Sequence, residues 1–156
     1  MGLYHSFDTK THSSKPKIIL GVAESDAHIV ANHLIAIYLR DCGFDVVNLG
    51  ACTPVQDFMD AYMENSSAIA IVIGSLNGHA AEDLQELESL KKKYNVNCPI
   101  ILGGNLSVGS EKEKNLHSNL KKLGVDIILE TPDQLLTVLR TLIDQSQIQN
   151  QEYLYA

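Results

Sequence analysis

Three short stretches of the chain carry residue types able to do chemistry. The first is Asp26-Ala27-His28. An Asp two residues before a His can accept a hydrogen bond from one ring nitrogen, fix the tautomer and leave the other nitrogen for a metal. The same triplet also describes a helix start, with Asp as the cap and His in the first turn, and taken alone it allows both readings. The second stretch is Gly74-Ser75-Leu76-Asn77-Gly78-His79 and the third is Gly103-Gly104-Asn105-Leu106. Their glycines and small polar residues let backbone come close to a bound group. His28 and His79 are too few for a protein-only zinc site, and the three cysteines, Cys42, Cys52 and Cys98, are odd in number and too widely spaced for a disulfide framework. A single His suits a metal that arrives with its other ligands.

The segments between these stretches must bring them together. Lys17 to Ala23 reads as a buried strand, and Ala27 to Cys42 as a helix with Val30, Leu34, Ile37 and Tyr38 at helical spacing and Gly43 as its stop. Asp45 to Gly50 is a second strand. Thr53 is placed to cap a helix opened by Pro54 and running to about Asn65. Ala68 to Gly74 is a third strand, followed by a helix from Ala80 to Tyr94 with Leu84, Leu87 and Leu90 on one face. Cys98 to Leu102 is the fourth strand, with a helix from about Glu111 to Leu123. Val125 to Leu129 is the fifth, and Thr131-Pro132-Asp133 opens a last helix to about Asp144. The strands are continuous apolar runs, as expected when both sheet faces are covered. Five strand–helix units with short connections predict an α/β flavodoxin-like (Rossmann-like) doubly wound parallel sheet, order 2-1-3-4-5, with helices on both faces.

Composition bounds the function classes. The chain has 156 residues, 12 Lys and Arg against 19 Asp and Glu, and 45% hydrophobic residues. Those numbers describe one globular domain with an apolar core. The net charge of −7 speaks against nonspecific binding to nucleic acid or to an anionic membrane, and no apolar run is long enough to span a bilayer. A cytoplasmic setting is expected. Residues 1–16, which include His5 and His12, read as a flexible N-terminal tail, 17–145 as the folded domain and 146–156 as a C-terminal tail, loose unless Tyr153, Leu154 and Tyr155 dock.

In this fold ligands bind beyond the carboxyl ends of the strands, where all three stretches fall. A phospho-receiver would need an Asp at the end of the third strand and a Lys at the end of the fifth; here stand Gly74-Ser75 and Glu130. Ser25 alone does not make a flavin-phosphate loop, and G-x-G-x-x-G is absent after strand one. A corrinoid or a haem matches a lone His on this edge.

The motifs then point to a family. Asp26-Ala27-His28-Ile29-Val30-Ala31, Gly74-Ser75-Leu76 and Gly103-Gly104 resemble, in order, the D-x-H-x-x-G, S-x-L and G-G patterns of the cobalamin-binding domains. Within that family the likeness is to the small subunits of glutamate mutase (methylaspartate mutase), from about Ile18 to Ile143, and the GFDVVNLG and GGNLSVG segments share it.

The resemblance implies adenosylcobalamin as cofactor, bound with its nucleotide tail detached from cobalt. It implies His28 as lower cobalt ligand, Asp26 as its orienting partner, Leu76 lining the tail pocket and Gly103 and Gly104 bordering it. It implies a radical carbon-skeleton rearrangement, with L-glutamate to 3-methylaspartate as the leading reaction, and a separate large barrel-type catalytic subunit as partner. Two positions depart from the pattern. Ala31 stands where the family has Gly, and Gly74 where it has the Ser that bonds the tail, with Ser75 one residue on and expected on the other face of the strand. Asn77, Thr53 and His79 share the edge and are candidates to compensate; His33 and His117 read as helix-surface residues. The competing function is a non-catalytic corrinoid carrier or a cobalamin-responsive regulatory module. A methyltransferase corrinoid protein would carry a helical bundle ahead of this domain, for which a 16-residue tail is too short.

Overall fold

The computed structural model describes residues 14–106 and 113–155. Its centre is a five-stranded parallel sheet in the order β2-β1-β3-β4-β5, as the alternation of apolar runs and helices predicts. The strands are β1 (Lys17–Val22), β2 (Asp45–Asn48), β3 (Ala70–Gly74), β4 (Ile100–Gly103) and β5 (Ile127–Ile128). The helices are α1 (Ile29–Asp41), α2 (Val55–Glu64), α3 (Ala80–Asp83), α4 (Leu87–Lys93), α5 (Glu113–Lys122) and α6 (Gln134–Tyr155). Register places Gly21 beside Ile73 and Val22 beside Gly74, and pairs Gly74 with Gly103, so the carboxyl ends of β1, β3 and β4 finish together.

Strand residues alternate between two buried faces. Ile19, Ile71, Ile73, Ile100 and Leu102 pack with Phe58, Met59, Leu84, Leu87 and Leu120 under α2 to α5. Ile18, Leu20, Ala70, Val72 and Ile101 pack with Ala36, Leu39, Leu135 and Leu139 under α1 and α6. By the same alternation Gly74 belongs with Val72 on the α1/α6 side and Ser75 with Ile73 on the other.

Several elements differ from the sequence expectation. In α1, Val30, Leu34, Ile37 and Tyr38 face outward, and the helix buries Asn32, Ala36 and Leu39 instead. Thr53 does not cap α2: Pro54 holds the cap position without a side-chain bond, and the Thr53 hydroxyl donates to the Gly50 carbonyl at 3.2 Å. The helix expected over Ala80 to Tyr94 is two, because the chain turns at Leu84 to Glu86 before Leu87 resumes; Leu84 and Leu87 are buried as expected. The last helix does not end near Asp144. It continues to Tyr155, and Tyr153, Leu154 and Tyr155 project into solvent without docking. His5, His12 and the Ser107–Gly109 part of the GGNLSVG segment lie outside the described residues. Among the described residues no helix is long and apolar enough to cross a membrane.

Candidate functional site

β1 ends in the loop that carries Asp26, and α1 begins directly after His28. A short chain between a strand and a helix holds the pair at spacing two. The His28 Nδ1 bonds Asp26 Oδ1, and the His28 backbone N–H donates to the same oxygen at 3.0 Å. The second carboxylate oxygen, Oδ2, accepts the Leu76 backbone N–H from the loop after β3. Asp26 is 1% exposed while the His28 side chain is half exposed. Burial alone would raise the Asp26 pKa, but the Leu76 N–H, the His28 ring and the His28 N–H together outweigh it and hold the carboxyl below its ordinary value. The charged carboxylate thus occupies Nδ1, and Nε2 has no hydrogen-bond partner among the described residues.

His28 stands at the rim of a cavity of about 220 Å³ between the ends of β1, β3 and β4, the first turns of α1 and the start of α6. Leu20, Val22, Ile35, Val72, Leu129 and Leu135 make its walls apolar. Of the residues singled out from sequence, the structure brings His28, Ala31, Gly74, Leu76, Gly103 and Gly104 to this cavity. Asp26 sits behind His28.

Ser75 and Asn77 do not line the cavity. Ser75 is fully buried on the opposite side of β3, as its parity demands, and its Oγ lacks a partner among the described residues. Asn77 secures the neighbouring loop: its Nδ2 donates to Ser25 Oγ at 2.9 Å and its Oδ1 accepts the His79 N–H at 3.1 Å. Thr53 is buried against Gly50, and His79 is exposed beside Glu82. His33 is on the exposed face of α1, whereas His117 is half-buried.

The glycines act in different ways. Gly104 has φ +128°, and a Cβ there would meet the Ser75 carbonyl oxygen at 2.1 Å, so this loop crossing admits only glycine. At Gly74 the nearest atoms to an added Cβ lie at 3.8 and 3.9 Å, which leaves room for a serine.

The buried polar residue of the cavity wall, Asn32, went unread in the sequence. Asn32, four residues after His28 on the same helix face, is 3% exposed and lines the cavity. Its Nδ2 donates to Asn48 Oδ1 at 2.7 Å, and its Oδ1 has no partner among the described residues. The i, i+4 relation to His28 was the available signal. Also among the described residues, no group of three or more His, Cys, Asp and Glu could hold a metal ion.

The B12 binding domain family model matches residues 16–130. The chain is 37% identical over 116 residues to a protein named glutamate mutase sigma subunit from Fusobacterium nucleatum, covering 74% of this chain and 85% of that protein. It is 33% identical over 126 residues to glutamate mutase sigma subunit 2 of Haloarcula marismortui, covering 79% and 84%. In fold it is similar to a cobalamin-binding protein from Desulfitobacterium hafniense, with a TM-score of 0.68 at 19% identity, over 83% of this chain and 60%, less than two thirds, of that one.

Proposed function

The chain belongs to the B12-binding domain family, in its group of glutamate mutase sigma subunits, and on that premise we propose that it is the cobalamin-holding subunit of an adenosylcobalamin-dependent glutamate mutase. That enzyme is an isomerase interconverting L-glutamate and 3-methylaspartate, and this chain serves it together with a catalytic subunit. The observation that carries the reading is the Asp26–His28 pair at the rim of an apolar cavity.

The residues present fit such a group. The cofactor, when bound, supplies a labile carbon–cobalt bond and with it the radical that starts the rearrangement. This chain binds, orients and shields. His28 would hold the cobalt through Nε2, the ring nitrogen that Asp26 leaves free. Asp26 fixes the ring's tautomer and strengthens its basicity. Leu76, Gly74, Ala31 and the Gly103–Gly104 backbone, which line the cavity, would hold the nucleotide tail. Behind this surface Asn77 ties its loop to Ser25, and the Ser75 backbone N–H donates to the Gly103 carbonyl at 2.9 Å. The partner is a large barrel-type subunit that carries the substrate site, and the assembly works in the cytoplasm.

The test is a visible titration with hydroxocobalamin and with adenosylcobalamin, for the natural protein and for His28→Ala. A spectral change on binding that disappears in His28→Ala is the expected result. No binding, or the same spectrum from both proteins, overturns the assignment of His28.

A further inference from the structure

The tail cavity has apolar walls; His28, Glu130 and Thr131 are polar lining residues at its exposed rim, and Asn32 is the buried polar residue among those that line it. Gly50 N–H donates to Asn48 Oδ1 at 3.0 Å, which fixes that oxygen as an acceptor. Asn32 must then present its Nδ2 to the same oxygen, as it does at 2.7 Å. This relay sets the Asn32 amide the only way round that avoids two acceptors facing each other. What remains is Asn32 Oδ1, a buried acceptor without a partner among the described residues, on a residue that lines the cavity. A buried carbonyl-type oxygen in apolar surroundings is stabilised by any donor delivered to it.

Building on the cobalamin reading, we propose that Asn32 is a specificity-determining residue of the tail cavity: its Oδ1 accepts a hydrogen bond from an N–H or O–H donor on the nucleotide tail of the corrinoid. Two parts of a tail offer such a donor. One is a ribose hydroxyl, common to all nucleotide tails. The other is an exocyclic amine on the base, present on an aminopurine and absent from dimethylbenzimidazole, which carries only methyl groups and a ring acceptor. A site that presents an acceptor rejects a ligand lacking the matching donor more sharply than an apolar site rejects a small change in shape.

The experiment measures dissociation constants by visible titration for three corrinoids: one without a nucleotide tail, one with a dimethylbenzimidazole tail and one with an aminopurine tail. Each is tested on the natural protein, on Asn32→Leu, which is close in volume but has no acceptor, and on Asn32→Ala, so that one folded variant suffices, with circular dichroism to establish folding. The expected result is a loss of about tenfold for tailed corrinoids in the variants, no change for the tailless one, and a His28-dependent spectrum in every case. A loss confined to the aminopurine form identifies the base amine as the donor; an equal loss for both tailed forms identifies the ribose hydroxyl. Unchanged affinities, or a loss that includes the tailless corrinoid, overturn the role of Asn32 while leaving His28 ligation standing. A natural protein that gives no His28-dependent spectrum overturns both.

Discussion

Asp26 accepts the Leu76 backbone N–H from fifty positions further along the chain, and the same carboxylate holds the His28 ring. One buried side chain therefore ties the loop after β1 to the loop after β3 and sets the orientation of the exposed imidazole. Removing it should affect fold and ligand binding together. Asp26→Ala leaves the Leu76 and His28 backbone N–H groups and the ring Nδ1 without their acceptor, at a cost of about 1–3 kcal/mol. Urea unfolding would show the lower stability, and the visible titration would show weakened His28-dependent binding. Unchanged values in both would mean that neither bond matters.

The acid side of the stability profile follows from the same carboxylate. Its pKa in the fold lies below the ordinary aspartate value of 3.8, so the unfolded chain takes up the proton first. Asp26 then contributes stability that is fully present above that value and is lost as pH falls through the folded pKa. The stability advantage of the natural protein over Asp26→Asn should be constant from neutral pH down to about 5 and should shrink below about 4. Unfolding curves over a pH series measure it; an advantage that grows on acidification contradicts the assigned direction.

Gly74 and Ala31 allow a direct repair of the two departures from the family pattern. The free space around Gly74 predicts that Gly74→Ser folds normally and places a hydroxyl on the cavity side of β3. One added hydrogen bond to a bound tail corresponds to about 1 kcal/mol, or several-fold tighter binding. Ala31→Gly enlarges the cavity but costs about 1 kcal/mol of helix stability, because glycine is poor in a helix. Cobalamin affinity and thermal midpoint, measured on each variant and the double variant, separate the two effects.

Gly104→Ala should be among the most damaging single changes near the site. A methyl there meets the Ser75 carbonyl at 2.1 Å in a backbone conformation of φ +128°, and the expected loss is about 2 kcal/mol or more. Gly103→Ala is the control: the added methyl meets Leu129 at 3.4 Å, an ordinary contact. Denaturation midpoints for the pair should differ clearly, and equal midpoints would contradict the geometry.

The cysteines should differ in reactivity. Burial pushes the Cys98 thiol up to about 11, whereas Cys52 is exposed. Iodoacetamide at pH 8 should modify Cys52 well before Cys98 in the folded protein, as read by peptide mass spectrometry, and urea should abolish the difference.

The sheet order and the Asp26–His28 pair were legible because both are local signals. Apolar runs separated by short helical segments leave few topologies, and a bond at spacing two needs no knowledge of the rest of the chain. The Asp26–Leu76 bond was not legible, since a backbone N–H leaves no mark in a sequence. The face that α1 buries was not legible from its apolar spacing, for a physical reason. Its larger apolar residues, Val30, Leu34 and Ile37, suggest a core face, yet the side against the sheet must leave room for a cavity and is filled by Asn32 and Ala36. The turn that divides α3 from α4 has neither Gly nor Pro, so nothing in Leu84-Gln85-Glu86 announced it.

The thin inner side of α1 has a dynamic consequence. α1 buries Asn32, Ala36 and Leu39, whereas the shorter α2 buries five residues, including Phe58, Met59 and Tyr62. Local opening costs least where the least apolar surface is lost, so of the two helices α1 should unlatch more often, and its amides should exchange with deuterium faster than those of α2. The helix that walls the cavity would then also be its door: a bulky tail can enter sideways as α1 lifts, with no need to thread past the strand ends, and amide exchange in α1 should slow once the tail is in place.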